Sequence, residues 1–195
     1  MEPTTVATGP VAAGPAIAAG PAIAPGPAIA AGPAIAPVHK LQDDWTLWAH
    51  LPHDVDWTVQ SYKEISNLAS VEATLAVSET LPEKLIYNCM LFLMRKGIQP
   101  MWEDPKNRNG GCFSYKVSNK TVASVWRTLS YALVGEVLTE DKKLKKNING
   151  ITISPKKNFC IIKIWLANCE FQNPNLIVEN AGISSFGCLF KKHIT

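Results

Sequence analysis

Three tryptophans, one glutamate and a handful of lysines are the residues of this chain whose types and spacing could do chemistry. Trp102 is followed at once by Glu103, inside a stretch from 97 to 111 that carries Gly97, Pro100, Pro105 and the pair Gly110-Gly111. Glycine and proline at that density break both helices and strands, so the stretch reads as a loop. An indole is a flat apolar plate. A carboxylate beside it accepts hydrogen bonds from the edge of a planar donor lying on the plate, and a purine with N–H groups along one edge fits that description. The other reading is a surface turn whose Trp folds back onto the core. Trp57 and Trp165 widen the choice, because two parallel indoles can sandwich a base. A positively charged base would add cation–π attraction of ~1–2 kcal/mol once desolvated. Glu103 would accept from the base edge, each charge-assisted bond contributing ~1.5–3 kcal/mol. Lys156, Lys157 and Lys163 would meet a phosphate tail as mobile point charges.

No other chemistry is legible. The chain has no Gly-x-Ser-x-Gly, no phosphate-binding glycine loop and no recognisable Cys–His pair. Glu103 and Asp104 are adjacent, and adjacent side chains tend to point apart, so they make a poor catalytic pair; an enzyme is not expected. His50 and His53 form a His-x-x-His near Asp54 and Asp56, but neither a Cys partner nor a glycine-rich ligand loop supports metal binding. No cofactor motif is present and none is expected. Cys89, Cys112, Cys160, Cys169 and Cys188 are odd in number and widely spaced, as in a reduced, intracellular protein with thiols used as small apolar residues.

The elements that must position these residues begin after an unusual leader. Between residues 9 and 37 the hexads Gly-Pro-Ala-Ile-Ala-Ala and Gly-Pro-Ala-Ile-Ala-Pro alternate. A Pro every six residues stops helix growth and removes a sheet donor each time. One Ile per hexad cannot bury enough surface to fold, so residues 1–37 are expected to be a disordered or polyproline-like tail. The tail lacks the basic start and unbroken apolar core of a signal peptide, and no apolar stretch is long enough to span a membrane. The net charge is +3, and Glu2 is the single charged residue before position 38, so residues 38–195 carry about +4. That mild excess suits a phosphorylated ligand and falls short of a bulk nucleic-acid binder.

Residues 38–195 can bury a core of their own as one domain. Patterning predicts strands over 39–50, 59–67, 89–94, 112–117, 148–153 and 160–166, with a last strand near 186–190. A helix over 71–80 ends before Pro82. A second, capped by Ser118-Asn119, runs to about 138, with Val122, Val125, Trp126, Leu129 and Leu133 on its core face. Residues 141–146 read as a solvated basic loop, and Asn149-Gly150 as a turn between strands. In the strand over 160–166, Ile161, Lys163 and Trp165 share a face. The result is an α+β fold: an antiparallel sheet with helices packed on one face and the tryptophans and lysines on the other.

Trp45, Trp48, Trp57, the run Gly97-Ile98-Gln99-Pro100-Met101-Trp102-Glu103-Asp104, Gly110-Gly111, Trp126, Gly135-Glu136 and Ile164-Trp165 together resemble eukaryotic translation initiation factor 4E, the messenger-RNA cap-binding family, over about residues 39–170. The resemblance implies a curved antiparallel sheet backed by helices, with the ligand cleft on the concave face. It implies that Trp57 and Trp102 sandwich 7-methylguanine and that Glu103 accepts from its N1 and N2 hydrogens. The Trp102 backbone N–H would donate to O6, and Trp165 would touch the methyl group. Lys156 matches a family arginine, Cys112 stands where the family usually has another, and Lys163 shares the face of a family lysine replaced here by Ile161. On the back, His39, Val71, Leu75 and Arg127 fall where the family receives a scaffold protein of the 4G type. There Leu75 replaces a tryptophan, Lys40 a proline, and Arg127-Thr128 an apolar residue and an acid. The implied protein is a cytoplasmic monomer that binds capped mRNA in translation initiation, or one that binds the cap without recruiting the usual scaffold and so represses or sequesters the message.

Overall fold

A computed structural model describes residues 38–179 and 182–193. The repeat tail expected over 1–37 lies outside the described residues. Seven strands form one antiparallel, curved sheet: β1 Lys40–His50, β2 Tyr62–Ser70, β3 Met90–Arg95, β4 Gly111–Ser118, β5 Ile148–Pro155, β6 Phe159–Leu166 and β7 Leu189–Lys192. They lie side by side in the order β2-β1-β3-β5-β6-β4-β7. Strand period two sorts their side chains onto two faces. The row Leu47, Leu93, Ile151, Ile164, Phe113 and Phe190 crosses the sheet in register. This row belongs to the main core. Onto it pack α1 Val71–Thr80, α2 Glu83–Asn88, α3 Val122–Val134 and α4 Lys142–Asn147, through residues such as Val77, Ile86, Trp126, Leu129 and Leu144. Trp126 is therefore a core residue, as its helical spacing predicts.

Among the described residues no helix covers the opposite face. It holds a smaller cluster of Tyr62, Phe92, Met94, Ile98 and Trp165, with Trp48, Met90 and Met101 partly buried against it. Two registered rows run over this face. One is Met94, Gly150, Trp165, Cys112 and Lys191; the other is Trp48, Phe92, Thr152, Lys163, Ser114 and Leu189.

The strands expected over 59–67 and near 186–190 lie at 62–70 and 189–192, the helix expected to run to about 138 ends at Val134, and further expectations are corrected. Asn149-Gly150 is not a turn but lies inside β5, at a register shift against β6. A Cβ at Gly150 would collide with the Leu93 carbonyl, so the glycine permits close strand approach instead of chain reversal. Residues 142–147 are helical, not loop: the Asp141 carboxylate accepts from the N–H groups of Lys143 and Leu144 at 2.8 and 3.0 Å, and Leu144 is fully buried. The helix expected from Ser118-Asn119 starts later, at Val122, because Ser118 Oγ is spent on a turn, accepting from the Lys120 N–H. A short helix, α2, fills the space between Pro82 and β3, where the sequence shows no periodicity long enough to read.

Candidate functional site

The loop between β3 and β4 is built around one buried carboxylate and one buried amide. Asp104 is 8% exposed. Its Oδ2 accepts from the Gln99 N–H at 2.9 Å and its Oδ1 from the Lys106 N–H at 2.7 Å. Asn107, with no exposed surface, donates from Nδ2 to the carbonyls of Gln99 and Met101 at 3.0 and 2.9 Å. Asn149 in β5 donates to Asn107 Oδ1 at 2.9 Å and to the Lys106 carbonyl at 2.8 Å, which ties the loop to the sheet. At its end a Cβ on Gly110 would strike the Leu166 carbonyl, so only glycine fits. Asp104 faces inward and Glu103 outward, so the adjacent carboxylates do point apart.

With its interior satisfied, the loop presents Trp102, which is 49% exposed, and the exposed Glu103. Trp57, on the segment after β1, is 54% exposed. Leaving about half of a ~200 Å² indole in water forgoes roughly 2–3 kcal/mol of burial for each residue, which a planar ligand could recover. The inner face of Trp57 is already backed: its ring stacks on His50 with centroids 4.1 Å apart and planes 4° apart. His50 is fixed in turn by a 2.8 Å bond from Nε2 to the Asp56 carbonyl. The imidazole is thereby committed to packing, which accounts for one half of the His-x-x-His pair.

From His50 an unbroken aromatic path crosses the open face. His50 meets Tyr62 edge-on at 5.2 Å, Tyr62 meets Phe92 at 5.4 Å, and Phe92 meets Trp165 at 6.4 Å. Trp165 is 6% exposed and lies under His193, whose ring is 4.7 Å away. Burial raises the pKa of the Tyr62 hydroxyl, and the nearby Glu103 carboxylate adds to the rise. Ile98 and Met101 of the Glu103 loop pack against the same cluster as Tyr62, Phe92 and Trp165, which brings the loop to this path. Lys163 lies on the Trp165 face of β6, half-buried. Lys156 and Lys157 are exposed at the β5–β6 turn, held by a 2.8 Å bond from the Lys156 N–H to the Phe159 carbonyl. Among the described residues, no group of three His, Cys, Asp or Glu could hold a metal ion.

The profile of the Eukaryotic initiation factor 4E family matches residues 40–183, which contain the loop, both exposed tryptophans, Trp165 and the three lysines. The chain belongs to this family. It is 30% identical to Eukaryotic translation initiation factor 4E-2 of Schizosaccharomyces pombe over 154 residues, covering 74% of this chain and 59% of that protein. It is 47% identical to the Eukaryotic translation initiation factor 4E homolog of Acanthamoeba polyphaga mimivirus over 62 residues, 32% of this chain and 23% of that protein. The chain thus spans less than two thirds of the length of these two relatives. Among solved structures, schistosome initiation factor 4E complexed with m7GpppG and a 4E-binding protein shares the fold. Its TM-score is 0.62 at 24% identity, covering 68% of this chain and 74% of that one.

The back-face candidates of this family member come from three places: the start of β1, α1 and α3. His39 and Val71 meet where β1 starts and α1 begins: the Val71 N–H donates to the His39 carbonyl at 2.9 Å. The His39 imidazole pairs with Glu72 at 2.6 Å, and the Ser70 hydroxyl caps α1 by accepting from the Ala73 N–H at 3.1 Å. Val71 and Leu75 are each 42% exposed on α1, and Arg127 is exposed on α3. Sequence reasoning weighed His50 only as half of a His-x-x-His pair and Asn149 only as a turn former, and it did not single out Asn107 or His193. Alternation in β1, which puts Trp48 and His50 on one face, could have flagged His50. Nothing local marks His193, whose place depends on β7 pairing with β4.

Proposed function

We propose that the chain binds the 7-methylguanosine cap of mRNA in translation initiation, on the open face of the sheet. The observation that carries the reading is the rigid loop that holds Trp102 and Glu103 outward, above an aromatic path reaching Trp57. Trp57 and Trp102 sandwich the base, with His50 backing the first indole. Glu103 accepts from the base N1 and N2 hydrogens, the Trp102 N–H donates to O6, and Trp165 borders the methyl group. Methylation fixes a positive charge on the base, which favours both the stack and the carboxylate over unmethylated guanine. Lys156, Lys157 and Lys163 meet the phosphates. No residue takes part in bond making or breaking, so the site is a binding site. The relatives' names and the cap ligand of the schistosome structure point the same way.

A second reading is favoured by the back face. There α1 shows Leu75 rather than an aromatic plate, beside the His39–Glu72 pair, and α3 shows Arg127. On that reading the monomer binds capped mRNA in the cytoplasm but engages a divergent scaffold, or none, and sequesters the message. Retention on a methylated-cap resin tests the first reading: Trp102→Ala and Glu103→Ala should each abolish it, and normal retention of either variant would sink the proposed site. Partner capture by the wild type compared with Leu75→Asp separates recruitment from sequestration.

A further inference from the structure

We propose that Lys191, on the edge strand β7, is an anion-binding residue of the open-face site and meets the ligand's phosphate chain together with Lys163. The proposal rests on the cap-binding reading above. Cys112 pairs with Trp165 on one side and with Lys191 on the other, so these three side chains form one row on one face. The face is fixed independently: Phe190, the neighbour of Lys191, packs against Phe113 in the helix-side core with ring centroids 5.4 Å apart. Strand alternation then sends Lys191 to the side of Trp165. Lys163 stands one row along on the same face, in register with Ser114.

The two lysines therefore flank Cys112. Burial raises the pKa of its thiol, and the positive charges of Lys163 and Lys191 are close enough to oppose that rise. Among the described residues neither lysine makes a salt bridge; the pairs present are His39–Glu72, Arg95 with Asp43 and Glu136, and Lys96–Asp44. Two cations on one face, with a buried thiol and a serine between them, repel each other, and a bound anion relieves that repulsion. The strand is pinned where it matters. The His193 N–H donates to the Gly110 carbonyl at 3.0 Å, and His193 Nδ1 bonds the Asn107 carbonyl at 2.7 Å. The end of β7 is thus tied to the loop that carries Trp102. The competing explanation is that Lys191 only guards an exposed sheet edge against pairing. Lys192 is the internal control for that idea, because it sits on the same edge but alternates to the other face.

The test measures dissociation constants of 7-methylguanosine and 7-methyl-GTP by tryptophan fluorescence for wild type, Lys191→Ala, Lys191→Arg and Lys192→Ala. Lys191→Ala should weaken the triphosphate about tenfold while the nucleoside stays within about twofold. Lys191→Arg should retain wild-type affinity, and Lys192→Ala should leave both ligands unchanged. If Lys191→Ala binds the triphosphate as wild type does, Lys191 is an edge guard and the inference falls while the cap-binding reading stands. Equal losses for nucleoside and triphosphate would show a structural role and also overturn it. A wild-type protein that binds neither ligand would overturn the cap-binding reading itself, and this inference with it.

Discussion

Asn107 fixes the loop that presents Trp102, although it touches no ligand in the proposed complex. Its side chain holds two loop carbonyls and receives Asn149 from the sheet. Asn107→Ala removes three hydrogen bonds inside a closed space and leaves buried polar groups unpaired, at a cost of about 2–4 kcal/mol. Trp102→Ala, at a half-exposed position, should change stability by only about 0.5 kcal/mol while removing ligand binding. Urea denaturation of the two variants checks this contrast: a large shift of midpoint for Asn107→Ala and almost none for Trp102→Ala. The contrast also explains what the sequence made legible. An indole followed by a carboxylate announces chemistry by residue type alone. An asparagine in a loop rich in proline and glycine looks like any turn former, and only its long-range bond to Asn149 reveals its work.

At the scale of elements, most strands and the helix Val71–Thr80 were readable because alternation and helical spacing are local properties. The failures occurred where a residue has two uses. Gly150 follows Asn149 and so mimics a hairpin turn, yet it serves close approach between β5 and β3. Gly150→Ala drives a Cβ into the Leu93 carbonyl and the Met94 side chain. It should cost about 3 kcal/mol by overpacking, seen as a lower denaturation midpoint with an unchanged slope. Four lysines hid α4, because its cap and its single buried leucine are a weak signal in a charged run. The start of α1 carries a pH prediction. A hydrogen bond from the His39 side chain, with backbone bonds in support, holds Glu72 down at about 2. A folded-state pKa below the unfolded value stabilises the chain above that unfolded value and is lost as pH falls toward about 2. NMR titration should find the Glu72 midpoint at about 2, and in His39→Ala it should rise but stay below the unperturbed value of about 4.3, because the backbone N–H of residue 39 still donates to the carboxylate.

At the scale of the whole molecule, one sheet separates two tasks. The helix-covered face holds the main core, and the open face holds the aromatic path with Lys163 and Lys191, neither of which makes a salt bridge among the described residues. The two-faced patterning of the strands, and the resemblance of scattered motifs to a family, were enough to imply this division. They could not supply the register of β7, since a short strand near the chain's end pairs with β4 across more than seventy residues. Among the described residues no helix is long and apolar enough to cross a membrane. The proposed function requires the open face to recognise a methylated, positively charged guanine between Trp57 and Trp102. Side-by-side titration of 7-methyl-GTP and GTP, read by tryptophan quenching, tests it most directly. 7-Methyl-GTP should bind at least about tenfold more tightly, from cation–π stacking that GTP lacks. Equal affinity for the two nucleotides would contradict it.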